Sequence, residues 1–172
     1  MRIVIAAAAL LAVAGCGDSE TPSPSPSTEA APIPTKVYAV GDTASAAGVE
    51  VTLTSVKSTS HVTNSDALPA AGPDETYIIA EYSLKNTGTK PIEMFDRPAL
   101  ELVDAAGQTY AMDTIASTVA AVLSESNGTI SAINPGTSAK SALVWKVAKK
   151  SYDPATWKVV VRTDPALEFK LN

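Results

Sequence analysis

The sequence predicts an all-β protein built as a two-layer antiparallel sandwich with a short helix or ordered crossover near 113–129. Three observations carry this expectation. Apolar residues alternate with polar ones in several short runs, turn sequences separate those runs, and the strand–helix–strand rhythm of a parallel α/β sheet is missing.

The runs follow in chain order. Val49, Val51, Leu53 and Ser55 alternate with Glu50, Thr52 and Thr54, and Ile78, Ala80, Tyr82 and Leu84 alternate with Ile79, Glu81, Ser83 and Lys85. Leu100 and Leu102 flank Glu101, while Leu143, Trp145 and Val147 alternate with Val144 and Lys146. Trp157, Val159 and Val161 form a fifth set, and Leu167, Phe169 and Leu171 a sixth. Side chains of a strand point to opposite faces in turn, so each run reads as a half-buried strand. Trp145 and Trp157 keep phase with aliphatic neighbours and are therefore expected in the core.

Asn86-Thr87-Gly88, Asp104-Ala105-Ala106-Gly107, Asn134-Pro135-Gly136 and Tyr152-Asp153-Pro154 lie between the runs. Gly and Asn tolerate positive φ and Pro fixes φ, which makes these segments turns. Two stretches break the strand pattern. Thr59 to Glu75 is polar, contains Pro and Gly, and reads as a long loop. Asp113 to Thr129 places Ile115, Val119, Val122 and Leu123 at helical spacing, with Asp113 as N-cap and Asn127-Gly128 as the stop. Long loops inside a domain more often carry function than strands do, so contact with a partner is expected at these two segments.

The N-terminus reads differently. Met1-Arg2 is a minimal positive start, and Ile3 to Val13 is an unbroken apolar run. That length suits a signal sequence and falls short of the roughly 20 residues a spanning helix needs. Val13-Ala14-Gly15-Cys16 resembles the bacterial lipobox. By that resemblance the leader is cleaved after Gly15, and Cys16, the single cysteine of the chain, carries a thioether-linked diacylglycerol with further acylation such as palmitate. Two or more acyl chains anchor durably where one does not. With no second cysteine a disulfide cannot form within the chain, and the fold must rest on its core.

Gly17 to Thr35 is rich in Pro, Ser, Thr, Ala and acidic residues, with too little apolar surface to fold. Extended at ~3.1 Å per residue, it reaches as far as ~60 Å from the anchor. The expected organisation is a signal peptide over 1–15, a lipidated cysteine and Pro/Ser-rich linker over 16–36, and a β-domain over 37–172.

Composition narrows the function. A net charge of −5 and scattered basic residues argue against nucleic acid, which requires a clustered cationic surface. His61 is the sole histidine and lies in the polar loop, which excludes multi-histidine metal sites. Met94 and Met112 are too few to argue for copper, and no Asp run matches a calcium loop. Ser124 and Ser126 lack a nucleophile elbow, and the acid pairs Asp74-Glu75 and Glu93 with Asp96 read as surface carboxylates. No catalytic, metal or cofactor residue is assigned.

Val40-Gly41-Asp42-Thr43, the strand from Val49 to Val56, YIIAEYSLKNTGTKPIEMFD (77–96), LELVDAAGQTY (100–110) and INPGTSAKSALVWKV (133–147) together resemble the telokin-like immunoglobulin-fold domain called domain of unknown function 4352. The outline is a Gly-Asp opening, a strand ending in Asn86, an aliphatic-Asp-x-x-Gly-x-x-Tyr hairpin through Asp104, Gly107 and Tyr110, and a late Pro135-Gly136 ahead of a strand. The resemblance spans most of Val37 to Leu171 and implies an immunoglobulin-like sandwich. Its members are typically bacterial secreted proteins or lipoproteins without established catalytic residues. Asp113 to Thr129 has no counterpart in that outline.

These readings combine into an exported protein of the cell membrane or outer membrane, held through Cys16 and facing the periplasm or the cell exterior. The expected role is non-enzymatic binding of a protein or envelope component. An accessory or inhibitor of an envelope enzyme, and a hydrolase with an unrecognised site, stand as alternatives.

Overall fold

The computed structural model describes residues 36–63, 68–124 and 131–172. The leader, Gly15, Cys16, the linker to Thr35, Ser126 and the Asn127-Gly128 helix stop lie outside the described residues. Among the described residues, nine strands form two sheets, and one α-helix lies in the chain between the sixth and seventh strands. One sheet joins β1 (Val37–Tyr38), β9 (Leu167–Lys170), β8 (Lys158–Val161), β5 (Leu100–Val103) and β6 (Thr109–Tyr110), in that spatial order. The other joins β2 (Thr43–Ala46), β3 (Val49–Thr59), β4 (Glu75–Asn86) and β7 (Ser138–Ala148).

Every one of the six alternating runs is a strand. Pairing is antiparallel except between β1 and β9, which run parallel with Val37 opposite Glu168 and Tyr38 opposite Phe169. The sandwich is therefore antiparallel in all but its first, two-residue strand. The inward residues of β3, β4 and β7, among them Val51, Leu53, Ile78, Leu84 and Trp145, meet Leu102, Val159, Val161 and Phe169 of the opposite sheet. Fully burying each large apolar side chain contributes about 1.5–3 kcal/mol. Trp145 is 0% exposed and Trp157 3%, as their phase predicts. Trp157 stacks on Tyr110 at 4.7 Å between ring centroids and meets Tyr152 edge-on at 5.4 Å.

The alternation in β3 does not run through as the sequence suggests. Register slips between Leu53 and Ser55, so that Leu53 faces Tyr82 while Ser55 faces Glu81. The extra residue of this β-bulge, Thr54, reverses the phase beyond it. Ser55 turns outward to donate to Glu81 Oε2 at 2.9 Å, and Val56 takes the place against the core.

The helix α1 (Thr114–Leu123) begins where the sequence predicts, with Asp113 Oδ1 accepting from the Ala116 N–H at 2.9 Å. It ends at Leu123 with Ser124 as C-cap, ahead of Asn127-Gly128. Its buried face is not the branched apolar one. Ala116, Ser117, Ala120 and Ala121 are buried, while Ile115 and Val122 are each 69% exposed. Small residues let the helix lie close against the outer face of β4 and β7, where Ala116 and Ala120 pack on Tyr77, Ile79, Ala142 and Val144. Val62, Leu68 and Ala71 of the long loop complete this second, smaller cluster.

Helix α1 also caps an edge. β7 ends its sheet, and at Val144 the outward N–H donates to Ser117 Oγ at 2.9 Å while the carbonyl accepts from the Asp113 N–H at 2.8 Å. Backbone groups that would otherwise template pairing with another strand are thereby occupied.

Candidate functional site

The two sheets do not close on each other everywhere. A cleft of about 640 Å³ opens between the β5–β6 end of one sheet and the β4–β7 face of the other. Its volume falls within the 300–1,000 Å³ range of small-molecule sites. Trp145 and Leu143 of β7 lie along it with Leu100 of β5 and Tyr110 of β6, all on strands whose register is fixed by ladder hydrogen bonds. Those side chains are held before any ligand arrives.

The polar groups of the cleft are few. Tyr82 and Ser141 are opposite residues of β4 and β7 and hydrogen-bond through their side chains. Burial raises the Tyr82 pKa above its usual value, an effect that Ser141 and the positive charge of Arg97 only partly offset. The phenol therefore stays protonated at neutral pH. Arg97 follows the short 3-10 turn Met94–Asp96 and is tethered by donating through Nη2 to the Ser131 carbonyl. Glu101, the carboxylate along the cleft, accepts from both Nε and Nη2 of Arg162, which leaves it engaged at the sheet surface.

The mouth is apolar. Met94 is 40% and Met112 49% exposed, both line the cleft, and the adjoining Phe95 is 91% exposed. In the sequence the two methionines stand 18 residues apart with no local pattern that joins them. Their juxtaposition needed the 3-10 turn and the β6–α1 connection to meet across the cleft.

The other singled-out residues lie elsewhere. His61 is exposed, with Nδ1 hydrogen-bonded to Ser60 Oγ at 2.9 Å, and it does not line the cleft. Glu93 and Asp96 are surface residues of the 3-10 turn, and Asp74 is exposed beside half-buried Glu75. Among the described residues no three His, Cys, Asp or Glu side chains gather as metal ligands. Of the two segments expected to make contacts, neither lines the cleft through a described residue: the lining stops at Met112, before 113–129, and Val62, Leu68 and Ala71 of Thr59 to Glu75 pack with the α1 cluster. Among the described residues, no helix is long and apolar enough to cross a membrane.

Solved structures share the architecture. A conserved hypothetical protein from Bacillus anthracis superposes with a TM-score of 0.59 at 24% identity, covering 72% of this chain and 89% of that one. An uncharacterized β-sandwich protein from Clostridium difficile 630 gives 0.54 at 15% identity over 80% and 96% of the two chains. The yjhA protein from Bacillus subtilis gives 0.57 at 14% identity over 78% and 99%. At these identities the likeness is one of fold alone. In sequence the chain is 31% identical over 137 residues to the uncharacterized protein YxkC of Bacillus subtilis (strain 168), covering 78% of this chain and 76% of that protein. The family model described as "Domain of unknown function (DUF4352)" matches residues 38–167, which takes in β2 to β8, the helix and the residues lining the cleft. The chain belongs to the DUF4352 family.

Proposed function

We propose that this protein is a non-enzymatic binding module of the bacterial cell envelope, an immunoglobulin-like sandwich tethered to a membrane through acylated Cys16, with the inter-sheet cleft as its contact surface. The observation that carries the binding role is the cleft itself: an open apolar cavity on rigid strands, with a few convergent polar groups at Tyr82, Ser141 and Arg97. Such a surface recognises rather than transforms, because its polar groups include no paired carboxylates or nucleophile–base pair. The tether rests on the lipobox resemblance of Val13 to Cys16 and the Pro/Ser-rich stretch behind it. Anchored this way, the domain samples ligands within tens of ångströms of the membrane.

The test combines anchoring with contact. Cells expressing the full chain are fed an alkyne analogue of palmitate, in parallel with a Cys16→Ser version, and a photo-crosslinking residue replaces Met112. Label and membrane fractionation in the first alone, with a Met112 crosslink that a cleft-filling Ser141→Trp change removes, are the expected results. An unlabelled, non-sedimenting full chain overturns the tether, and a crosslink indifferent to Ser141→Trp overturns the cleft.

A further inference from the structure

We infer that the solvent-facing side of α1 docks on the bilayer that holds the anchor, with Ile115, Val119, Val122 and Leu123 seated at the boundary between headgroups and acyl chains. This rests on the tether at Cys16 and adds a second membrane contact, made by the folded domain itself.

Helix geometry sets the stripe. Ile115, Val119 and Val122 follow one another at spacings of four and three residues, so they lie on one side of the helix with Leu123 next to them. Ala116, Ser117, Ala120 and Ala121 occupy the other side and are buried. Ile115 and Val122 are each 69% exposed and Leu123 57%, so a contiguous aliphatic surface faces water. Because α1 packs on the outer face of β4 and β7, the stripe points away from the sandwich.

The chemistry of the stripe says what covers it. Thr114–Leu123 contains no charged residue. Thr118 Oγ1 donates to the Thr114 carbonyl at 2.9 Å, and Ser124 Oγ to the Ala121 carbonyl at 3.1 Å, so both hydroxyls turn back onto the helix. Lys57 and Glu81, which share a small hollow with Leu123, bond each other at 3.4 Å. Protein interfaces are anchored by Trp, Tyr and Arg, which this side of α1 lacks. Hydrocarbon satisfies such a surface without any polar partner.

The chain ahead of the described residues supplies the reason that a bilayer is the cover. Gly17 to Thr35 joins the lipidated cysteine to the domain and spans at most ~60 Å, so the domain is held beside the lipid. A few aliphatic side chains bind a bilayer weakly by themselves, but a tether makes the encounter intramolecular, at an effective concentration on the order of millimolar. The stripe has no cation and the chain carries a net charge of −5, which leaves apolar burial rather than attraction to anionic lipid as the driving force.

In the acylated full chain the Cys16 thiol is blocked by its thioether, so Val122→Cys introduces a single site for an environment-sensitive fluorophore. Lys170→Cys, exposed at the end of β9 in the other sheet, is the control. In phosphatidylcholine vesicles carrying nitroxide on the upper acyl chain, the label at 122 should be blue-shifted and quenched, and the label at 170 neither. Ile115→Lys should lower the docked-to-free ratio read at 122 roughly tenfold or more, the loss of one buried isoleucine. The comparison of 122 with 170 decides the matter even if Ile115→Lys fails to fold.

Intact mass and flotation with the vesicles read the tether separately. An acylated chain that floats while its 122 label is quenched no more than the 170 label overturns the docking and leaves the tether standing. A blue shift at 122 without nitroxide quenching means that a protein surface, a second copy included, covers the stripe, and overturns the docking too. Quenching that requires phosphatidylglycerol makes charge the driving force and has the same consequence. An unacylated chain that does not float removes the tether and the docking with it.

Discussion

Asn86 shows what one buried polar residue does in this fold. At the end of β4 its Nδ2 donates to the Lys90 carbonyl at 2.7 Å and to the Ile133 carbonyl at 2.8 Å, while Oδ1 accepts from the Gly88 N–H at 2.9 Å. A side chain 1% exposed thus closes the turn after β4 and ties it to the segment leading into β7. Replacing it with Ala leaves the Lys90 carbonyl and the Gly88 N–H without these partners, whereas the Ile133 carbonyl keeps the Ile92 N–H. Asn86→Ala should therefore cost about 2–4 kcal/mol in urea unfolding, with an unchanged m-value. Ala47 presents the opposite case, a residue poorly suited to its place. Ala46 pairs with Val49 across a two-residue turn in which Ala47 has φ 48° and Gly48 φ 77°. Positive φ at both positions is the geometry Asn-Gly favours. Ala47→Asn should raise stability by roughly 0.5–1 kcal/mol on the same measurement.

At the scale of elements, α1 reverses the usual relation between apolar size and burial. Its contact with β7 depends on alanines, so added volume there has nowhere to go. Ala120→Leu should destabilise by about 1–3 kcal/mol, while Val122→Lys on the exposed side should stay within roughly 0.5 kcal/mol, both read from thermal unfolding. Equal losses from the two would mean that the branched face is covered in solution. The ion pairs across the strands have little part in stability: Lys85 meets Glu50 and Lys158 meets Glu168 at 2.9 Å, but all four side chains retain solvent contact. Pairs of this kind contribute about 0–1 kcal/mol each.

Over the whole molecule, three tyrosines tie stability to alkaline pH. Burial raises the pKa of Tyr82 and Tyr152 above the usual 10.0, with Asp153 adding to the effect at Tyr152. At Tyr110 desolvation acts first, and Asp104, whose Oδ2 accepts the phenol hydrogen bond, adds to it. A phenol with a raised folded-state pKa resists ionisation that the unfolded chain allows. Its contribution is intact below pH 10 and is lost as pH climbs from there through the folded-state value. The melting temperature should fall steeply above pH 10, and a Tyr82→Phe, Tyr152→Phe double variant should show a shallower fall. An unchanged slope would place the alkaline transition elsewhere.

Much of this architecture was legible in the sequence because a strand declares itself locally. Period-2 alternation, turn residues and the Asp113 cap are consequences of φ, ψ and hydrogen-bond geometry within a few residues, so the six long runs, the four turns and the helix start were readable in order. The sequence also carries the mark of a covered outer face: Ile79 and Val144 are apolar on the outward phase of their strands. Strands β1 and β6, two residues each, were too short to show a period, and β2 (Thr43–Ala46) offers only alanines between hydroxyl residues, too weak an apolar contrast to read. What only the tertiary structure decided are quantities set by elements distant in the chain. The bulge at Thr54 needed the register of β3 on β4, and the alanine face of α1 needed the distance to β7. The cleft needed Met94, Arg97 and Met112 brought against Tyr82 and Ser141. None of these has a local cause, because a cavity is what packing leaves unfilled, and that depends on both walls at once.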